Sequence, residues 1–396
     1  MMDMPERNAP ILLRHTAPVE VDVAVVGGGP TGAMAALAAA KAGWRTAMVA
    51  PLAPHDPRTT ALLMPAIRLL DAFGVWQRVE HETAPLITMR LIDDTERLPR
   101  APEIAFDSHE IGFEQFGFNT PNNPLNAALA DAMAECGAER IDAKADDMRP
   151  GQNPITIVAG EHQVKASLVV AADGSNSKVR ALMGFSVRRW PYDQSAFVTT
   201  LSHERPHGNT STEFHTAAGP FTLVPLPGNR SSLVWVGRPD EVARWVGMDA
   251  DPLAREIEKR AHSILGRMSL DGPRGTIPME GMMARRFGAE GVVLVGEAGH
   301  RFPPIGAQGL NLGMRDAEVL YDLLKDAKAE GSLTNVPRDY DRKRRLDVTG
   351  RTIGVDLLNR SLLTDALPVT IARTAGLTLA ANVPPLRKAM MRFGLG

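Results

Sequence analysis

Three widely separated segments carry residue types that can hold an anionic cofactor. Gly27, Gly29 and Gly32 follow a β-branched run, Val21 to Val26, and open an alanine-rich helix pattern from Ala33 to Gly43, with Pro30 and Thr31 inside the turn. In that context the first glycine makes a tight turn, the second lets the backbone approach a pyrophosphate, and the third lets helix pack on strand. The second segment is Val164 to Ala172, ending in Asp173-Gly174-Ser175 and followed by Arg180. The third is Val292 to Val295, then Gly296-Glu297, a Pro/Gly loop from Pro303 to Gly306, and a helix starting near Ala307. A carboxylate at the carboxyl end of a strand accepts hydrogen bonds from a ribose or ribityl hydroxyl. A glycine-rich helix start aims unpaired N–H groups and partial positive charge at whatever sits above it.

Each segment alone also has a structural reading, since Asp-Gly turns and Gly-rich helix starts are common turn chemistry. One departure weighs against a ligand. A ribose-binding acid belongs about 20 residues past the glycines, yet the next strand, Arg45 to Ala50, ends in Ala50-Pro51. Arg58, before a segment whose apolar spacing from Ala61 to Phe73 predicts a buried helix, reads equally as a pyrophosphate contact or a surface cation.

These segments need an α/β scaffold, and the composition allows one. The chain has 396 residues, 44% hydrophobic and 23% charged, with room for about two or three domains. Its net charge of −2 supplies no basic field for nucleic acid. One cysteine, Cys136, excludes an intramolecular disulfide and a Cys-based zinc cluster, and points to a reducing cytoplasm. Met1 to Glu20 is polar and proline-broken, a frayed leader without a signal-peptide core, and no run is long enough to span a membrane.

Further along, Leu86 to Ile92 alternates as a strand, Pro99 to Phe118 has loop character, and Asn122 to Gly137 reads as a Pro-initiated helix. Ile155 to Val158 and Val164 to Ala172 form a hairpin. From Gly184 to about Met283, short alternating runs between Pro/Gly turns predict an inserted antiparallel sheet, where a substrate wall would be built. His203, His207 and His215 fall there, and His300 follows the acidic turn; each reads first as a core, solvated or loop-fixing histidine. The tail from Ser361 mixes apolar residues with Arg373, Arg387, Lys388 and Arg392. It can lie in a membrane interface or pack on its own protein or a partner.

Taken together, the Gly-x-Gly-x-x-Gly start, the Asp-Gly strand end and the late motif resemble the single-component FAD-dependent aromatic hydroxylases of the p-hydroxybenzoate hydroxylase type. Within them, Arg58-Thr-Thr-Ala-Leu62, Tyr192-Asp-Gln194 and Pro304 to Asp316 are most similar to the ubiquinone-biosynthesis hydroxylases. The resemblance implies a Rossmann-like FAD-binding domain of the interleaved glutathione-reductase type, an inserted, mainly antiparallel β-sheet substrate domain and a C-terminal helical segment. The expected boundaries are 21–75, 100–183 and 284–345 for the FAD domain, 76–99 and 184–283 for the substrate domain, and 346–396 for the helical segment.

It also implies site roles. Gly27, Gly29, Pro30, Thr31, Gly32 and Arg58 would face the FAD pyrophosphate, and Asp173 with Gly174 would hold it through water. Glu297 would take the family's Asp position on the ribityl chain, with Gly299, where alanine is usual, making room for the extra methylene. Gly306, Ala307, Gln308, Gly309, Leu310 and Asn311 would lie along the flavin's pyrimidine edge. Backbone at Pro304 and Gly306 would sit beside the reacting oxygen, and Tyr192, Gln194, Phe221, Leu223 and Pro225 would line the substrate pocket. The implied chemistry is O₂ addition to reduced flavin, giving a C4a-hydroperoxide that hydroxylates an electron-rich phenol ring, with NAD(P)H or a redox protein as donor and no metal.

The resulting expectation is an FAD monooxygenase acting on a polyprenylphenol on the way to ubiquinone. It would be cytoplasmic or peripheral at the inner membrane face, with other pathway proteins as candidate partners. The rivals are a hydroxylase of small soluble phenolics and a flavin-binding subunit without turnover. Ring position, donor, oligomeric state, any catalytic base and the hold on the adenosine ribose are left open by the sequence.

Overall fold

The computed structural model describes residues 17–52, 55–95, 100–149, 151, 153–303, 307–363, 374, 376, 378–379 and 382–395. Its first sheet has eight strands, four neighbouring pairs of them parallel. The β-branched run forms the strand Val19–Val26, which lies between Thr46–Val49 and His162–Ala171; Val292–Leu294 flanks the latter. The carboxyl-terminal halves of these strands are apolar and buried, as expected where helices cover the sheet. The helix Pro30–Lys41 buries seven residues from Ala33 to Ala39 almost completely. Alanine at nearly every position there lets neighbouring helices and the sheet approach closely.

The expected hairpin is present as Ile155–Ala159 paired antiparallel with His162–Ala171. The segment after Arg58 is not one helix. Thr59–Leu63 is a strand, paired with Gly117–Pro121, and only Met64–Ala72 is helical. Two threonines favour the extended form, and Pro65 sits in the first turn of the helix, where its missing N–H costs nothing.

The second sheet has nine strands, mainly antiparallel, with one parallel pair between Thr88–Asp93 and Thr210–Thr216. One face carries Phe197, Phe214, Phe221, Leu223, Leu233 and Trp235, packed on the helices Pro239–Gly247 and Ala250–Arg260 through Val242, Trp245, Leu253 and Ile257. The stacked rings of Trp235 and Trp245, 3.6 Å apart, anchor that layer.

Ile104–Asp107, within a stretch of loop character, is a strand of the second sheet, paired with Thr88–Asp93. Conversely Trp76 and Val79 pack into the core of the first sheet. The helix Val336–Leu363 runs unbroken across the expected boundary at 345/346. Tyr340 bonds the carbonyl of Leu294 in the first sheet, whereas Asp356 and Asn359 bond Tyr192 and Gln194 in the second. One rigid helix therefore braces the two sheets against each other.

The C-terminal helix Pro384–Leu395 packs on the turn Ser108–Ile111. Arg387 pairs with Glu110, and Met391 joins Ile111 and Phe116. Among the described residues, no helix is long and apolar enough to cross a membrane.

Candidate active site

The strand order His162–Ala171, Val19–Val26 places the Asp173 turn directly beside Gly27, and Val292–Leu294 brings the Glu297 turn alongside. Gly27 has φ +120°, and a Cβ there would lie 2.2 Å from the Ala172 carbonyl, so only glycine fits. A Cβ at Gly32 would lie 2.1 Å from the Gly27 carbonyl, which makes it the packing glycine of the turn. At Gly29, in contrast, a Cβ would meet no protein atom within 4 Å. Its Cα faces open space at the mouth of the turn.

The helix opening at Pro30 has no side-chain cap and no acid in its first turn. Its N–H groups and positive dipole end are free for an anion. Thr31 has a different orientation from its neighbours: its side chain packs where a Cβ at Gly296 or Gly313 would stand, 3.0 Å and 2.4 Å away. That contact draws the first and third segments together.

Asp173 Oδ2 accepts from the backbone N–H groups of Lys178 and Val179, at 2.7 and 3.1 Å. Its Oδ1 is buried with no protein partner. An orphaned carboxylate oxygen beside an uncapped helix start is what a water-bridged pyrophosphate would satisfy. Arg180 does not join it: its guanidinium is buried and donates to the carbonyls of Ala298 and Ser175. It stitches the second strand end to the third.

Glu297 is exposed at the edge of its turn. Arg58 is held by Asp56 at 2.7 Å, and the hydrogen bond it donates to Asp56, followed by the charges of Asp56 and Glu297, raises its guanidinium above the ordinary range. Burial raises the Asp56 carboxyl, but its bonds from Arg58 and Asn122 outweigh this and bring it down to about 2. Gly299 does not make room for Glu297. A Cβ there would meet the Phe287 ring at 2.9 Å, so the missing methyl accommodates Phe287 in the core.

Pro304 and Gly306 lie outside the described residues. Ala307 adopts φ +55° ahead of the helix Gln308–Glu330, which again has no side-chain cap and no acid in its first turn. A Cβ at Gly309 would meet nothing within 4 Å, and Leu310 packs on the first core. Gln308 Oε1 lies 3.5 Å from Arg351. The Asn311 amide accepts from the Leu63 N–H and donates to the carbonyls of Ala61 and Ala307. It ties the strand after Arg58 to the helix start rather than projecting toward a cofactor.

Sequence reasoning missed the support beneath this turn. Asp316 is wholly buried and accepts from the Gly296 N–H, from His300 Nε2 and from Arg344 Nε. Burial raises its carboxyl, but the charges of His300 and Arg344 prevail and hold it below the ordinary carboxylate range. His300 thus fixes the loop. His203, His207 and His215 are likewise held internally, by Ser231, the Leu226 carbonyl and Glu213.

On the second sheet, Phe221 and Leu223 are corrected from pocket to core: both are buried against the two covering helices. The opposite face carries Tyr192, Ala196, Val234, Val236 and Met279. Tyr192 donates to Asp356 at 2.5 Å, and burial together with that carboxylate raises its hydroxyl to about 12. Gln194 is buried, donating to the Ala218 carbonyl and accepting from Asn359. The Pro225 carbonyl accepts from Asn119, whose amide also reaches Ser232.

Residues 20–349 match the model of a family described as FAD binding domain. Ubiquinone hydroxylase UbiL of Rhodospirillum rubrum is 31% identical over 100% of this chain and 93% of its own length. The 3-demethoxyubiquinol 3-hydroxylase of Escherichia coli is 27% identical, covering 95% of this chain and 98% of its own. Among solved structures, p-nitrophenol 4-monooxygenase PnpA from Pseudomonas putida superposes with a TM-score of 0.78 at 20% identity, covering 95% of this chain and 98% of that one. At that identity the likeness speaks for the fold.

Proposed function

The chain belongs to the FAD-binding-domain family, in the branch of the ubiquinone-biosynthesis hydroxylases, and from that premise we propose that it hydroxylates the aromatic ring of a polyprenylated phenol. The observation that carries the reading is the convergence of three strand ends on one edge, with the Asp173 Oδ1 orphaned between them. FAD bound there supplies activation of O₂ and transfer of one oxygen atom to an electron-rich ring, drawing electrons from NAD(P)H or a redox protein.

The chain's own residues do the rest. Gly27, Gly29 and the N–H groups of Thr31 and Gly32 receive the pyrophosphate, with Asp173 and Gly174 holding it through water and Arg58 adding charge from the side. Glu297 takes the ribityl hydroxyls. The helix start from Ala307 to Asn311 directs its dipole at the pyrimidine edge, where it favours negative charge on the reduced ring. The sheet face of Tyr192, Ala196 and Val236, backed by the helix Val336–Leu363, closes the other side and excludes water. Backbone at Pro304 and Gly306 belongs beside the reacting atoms by the same reading.

A lipid substrate agrees with the C-terminal helix. Leu386 and Met390 are exposed along it and Leu379 and Val383 are exposed ahead of it, beside the exposed cations Lys388 and Arg392, and no acid follows Asp365. We place this face on an anionic membrane surface, where other pathway enzymes can hand on their product.

The test is to identify the flavin released from purified protein. Reductant, O₂ and substrate are then supplied, with a polyprenylated phenol in detergent or anionic vesicles set against small soluble phenols. Hydroxylated lipid product with bound FAD supports the reading. Turnover of the small phenols alone, without vesicle binding, would replace it by a soluble hydroxylase. Bound FAD that never turns over would replace it by a non-catalytic subunit.

A further inference from the structure

The strand Thr46–Val49 ends without the carboxylate that a dinucleotide fold uses to grip the adenosine ribose. Ala50 is buried there, and its methyl fills the space above Gly28, where a Cβ would lie 2.8 Å away. Beside it opens a cavity of about 250 Å³, lined by Gly28, His55, Asn123, Asn126 and Arg140 among others, with no acidic side chain in its wall.

Two atoms of this wall are buried and lack any protein partner: Asn126 Oδ1, an acceptor, and Arg140 Nε, a donor. The neighbouring groups are already paired. Asn123 bonds His55 Nε2 at 2.8 Å and the Asp56 N–H at 2.8 Å, and Arg140 Nη2 reaches the Pro51 carbonyl at 3.2 Å. Asp142, two residues past Arg140, accepts from the Leu52 N–H. A hydroxyl both donates and accepts, so a ribose hydroxyl satisfies an amide oxygen and a guanidinium N–H together. Leaving both unmade in a buried wall is costly.

We propose that Asn126 and Arg140, which line this cavity beside the end of the strand, hold the adenosine ribose of FAD in place of the missing strand-end acid. The inference rests on the FAD reading above. Its consequence is a ribose pocket with a cation where related folds place an anion, and such a pocket accepts a 2′-phosphate instead of repelling it.

The experiment is titration of apoprotein with FAD and with FMN, which lacks the adenosine, followed by flavin fluorescence. Asn126→Leu, Arg140→Ala and the conservative Arg140→Lys are compared with the wild type, and thermal melts of each apoprotein report folding. Asn126→Leu and Arg140→Ala should each weaken FAD by about tenfold and leave FMN binding unchanged, and Arg140→Lys should keep part of the affinity that Arg140→Ala loses. As competitors against FAD, adenosine 2′,5′-bisphosphate should bind at least as tightly as 5′-ADP. Well-folded variants that bind FAD like the wild type, or a 2′-phosphate that weakens competition tenfold, overturn the assignment. Wild-type apoprotein that takes up neither flavin defeats the flavoprotein reading itself, a different and recognisable failure.

Discussion

Asp316 and His300, sixteen residues apart, meet at 2.7 Å with each side chain only 1% exposed. The same carboxylate binds Arg344 Nε at 2.6 Å and the Gly296 N–H at 2.7 Å. It joins the acidic strand end, the loop leading from it, the helix after that loop and the brace between the sheets. A neutral amide in its place leaves the buried Arg344 guanidinium with Asp347 alone as counter-charge, and unpairing a buried ion costs up to about 3–5 kcal/mol. Asp316→Asn should therefore lower the stability of the folded chain by that amount in urea titration. A loss under about 1 kcal/mol would show the network to be dispensable.

The same pair sets an acid limit. Asp316 is held below the ordinary carboxylate range in the folded state, so the unfolded chain binds its proton more readily. Its contribution is complete above the unfolded value of about 3.9 and is lost as pH falls through the lower folded value. Asp56, brought down to about 2, acts in the same direction. Urea midpoints of the wild type should drop steeply between about pH 4 and pH 2, and those of Asp316→Asn should drop less over that window. Equal slopes would mean another carboxylate governs the limb.

Three cofactor segments were legible in the sequence because each writes its geometry locally: an apolar run, a glycine turn, an acid or an uncapped helix start. The inserted sheet was legible from its alternation, but its orientation was not. In Phe221-Thr-Leu-Val-Pro225 both alternating sets carry apolar residues, since one face meets two helices and the other meets the brace. Ile104–Asp107 pairs with a strand before it across a stretch rich in proline, and nothing local marks the pairing. Arg180, Gly299 and Arg344 misled or hid for one reason: their partners, Ala298, Phe287 and Asp316, are set by tertiary packing that spacing does not encode.

The placement of Phe221 has its own consequence. Its ring lies 5.5 Å from Trp235 in a T-shaped contact and is fully buried. Phe221→Ala should cost about 3–5 kcal/mol in stability, the usual range for emptying an aromatic core site, while KM for the phenol stays within twofold or so of the wild type. A large KM change with little loss of stability would return Phe221 to the pocket wall.

The sharpest separation of folding from cofactor binding comes from two glycines three residues apart. At Gly32 a methyl would stand 2.1 Å from the Gly27 carbonyl, and the strand-to-helix turn has to open to admit it. At Gly29 the backbone is extended, with φ −71° and ψ 173°, which alanine adopts freely, and no protein atom lies within 4 Å of the added methyl. Gly32→Ala should therefore lower the melting temperature of the apoprotein, whereas Gly29→Ala should melt like the wild type. Both should lose FAD, the second because its methyl occupies the approach of the pyrophosphate to the helix start. For Gly29→Ala the affinity should fall at least tenfold, about 1.4 kcal/mol, in fluorescence titration. Gly29→Ala that binds FAD as tightly as the wild type would mean the phosphates take another path, and the turn would then be scaffold alone.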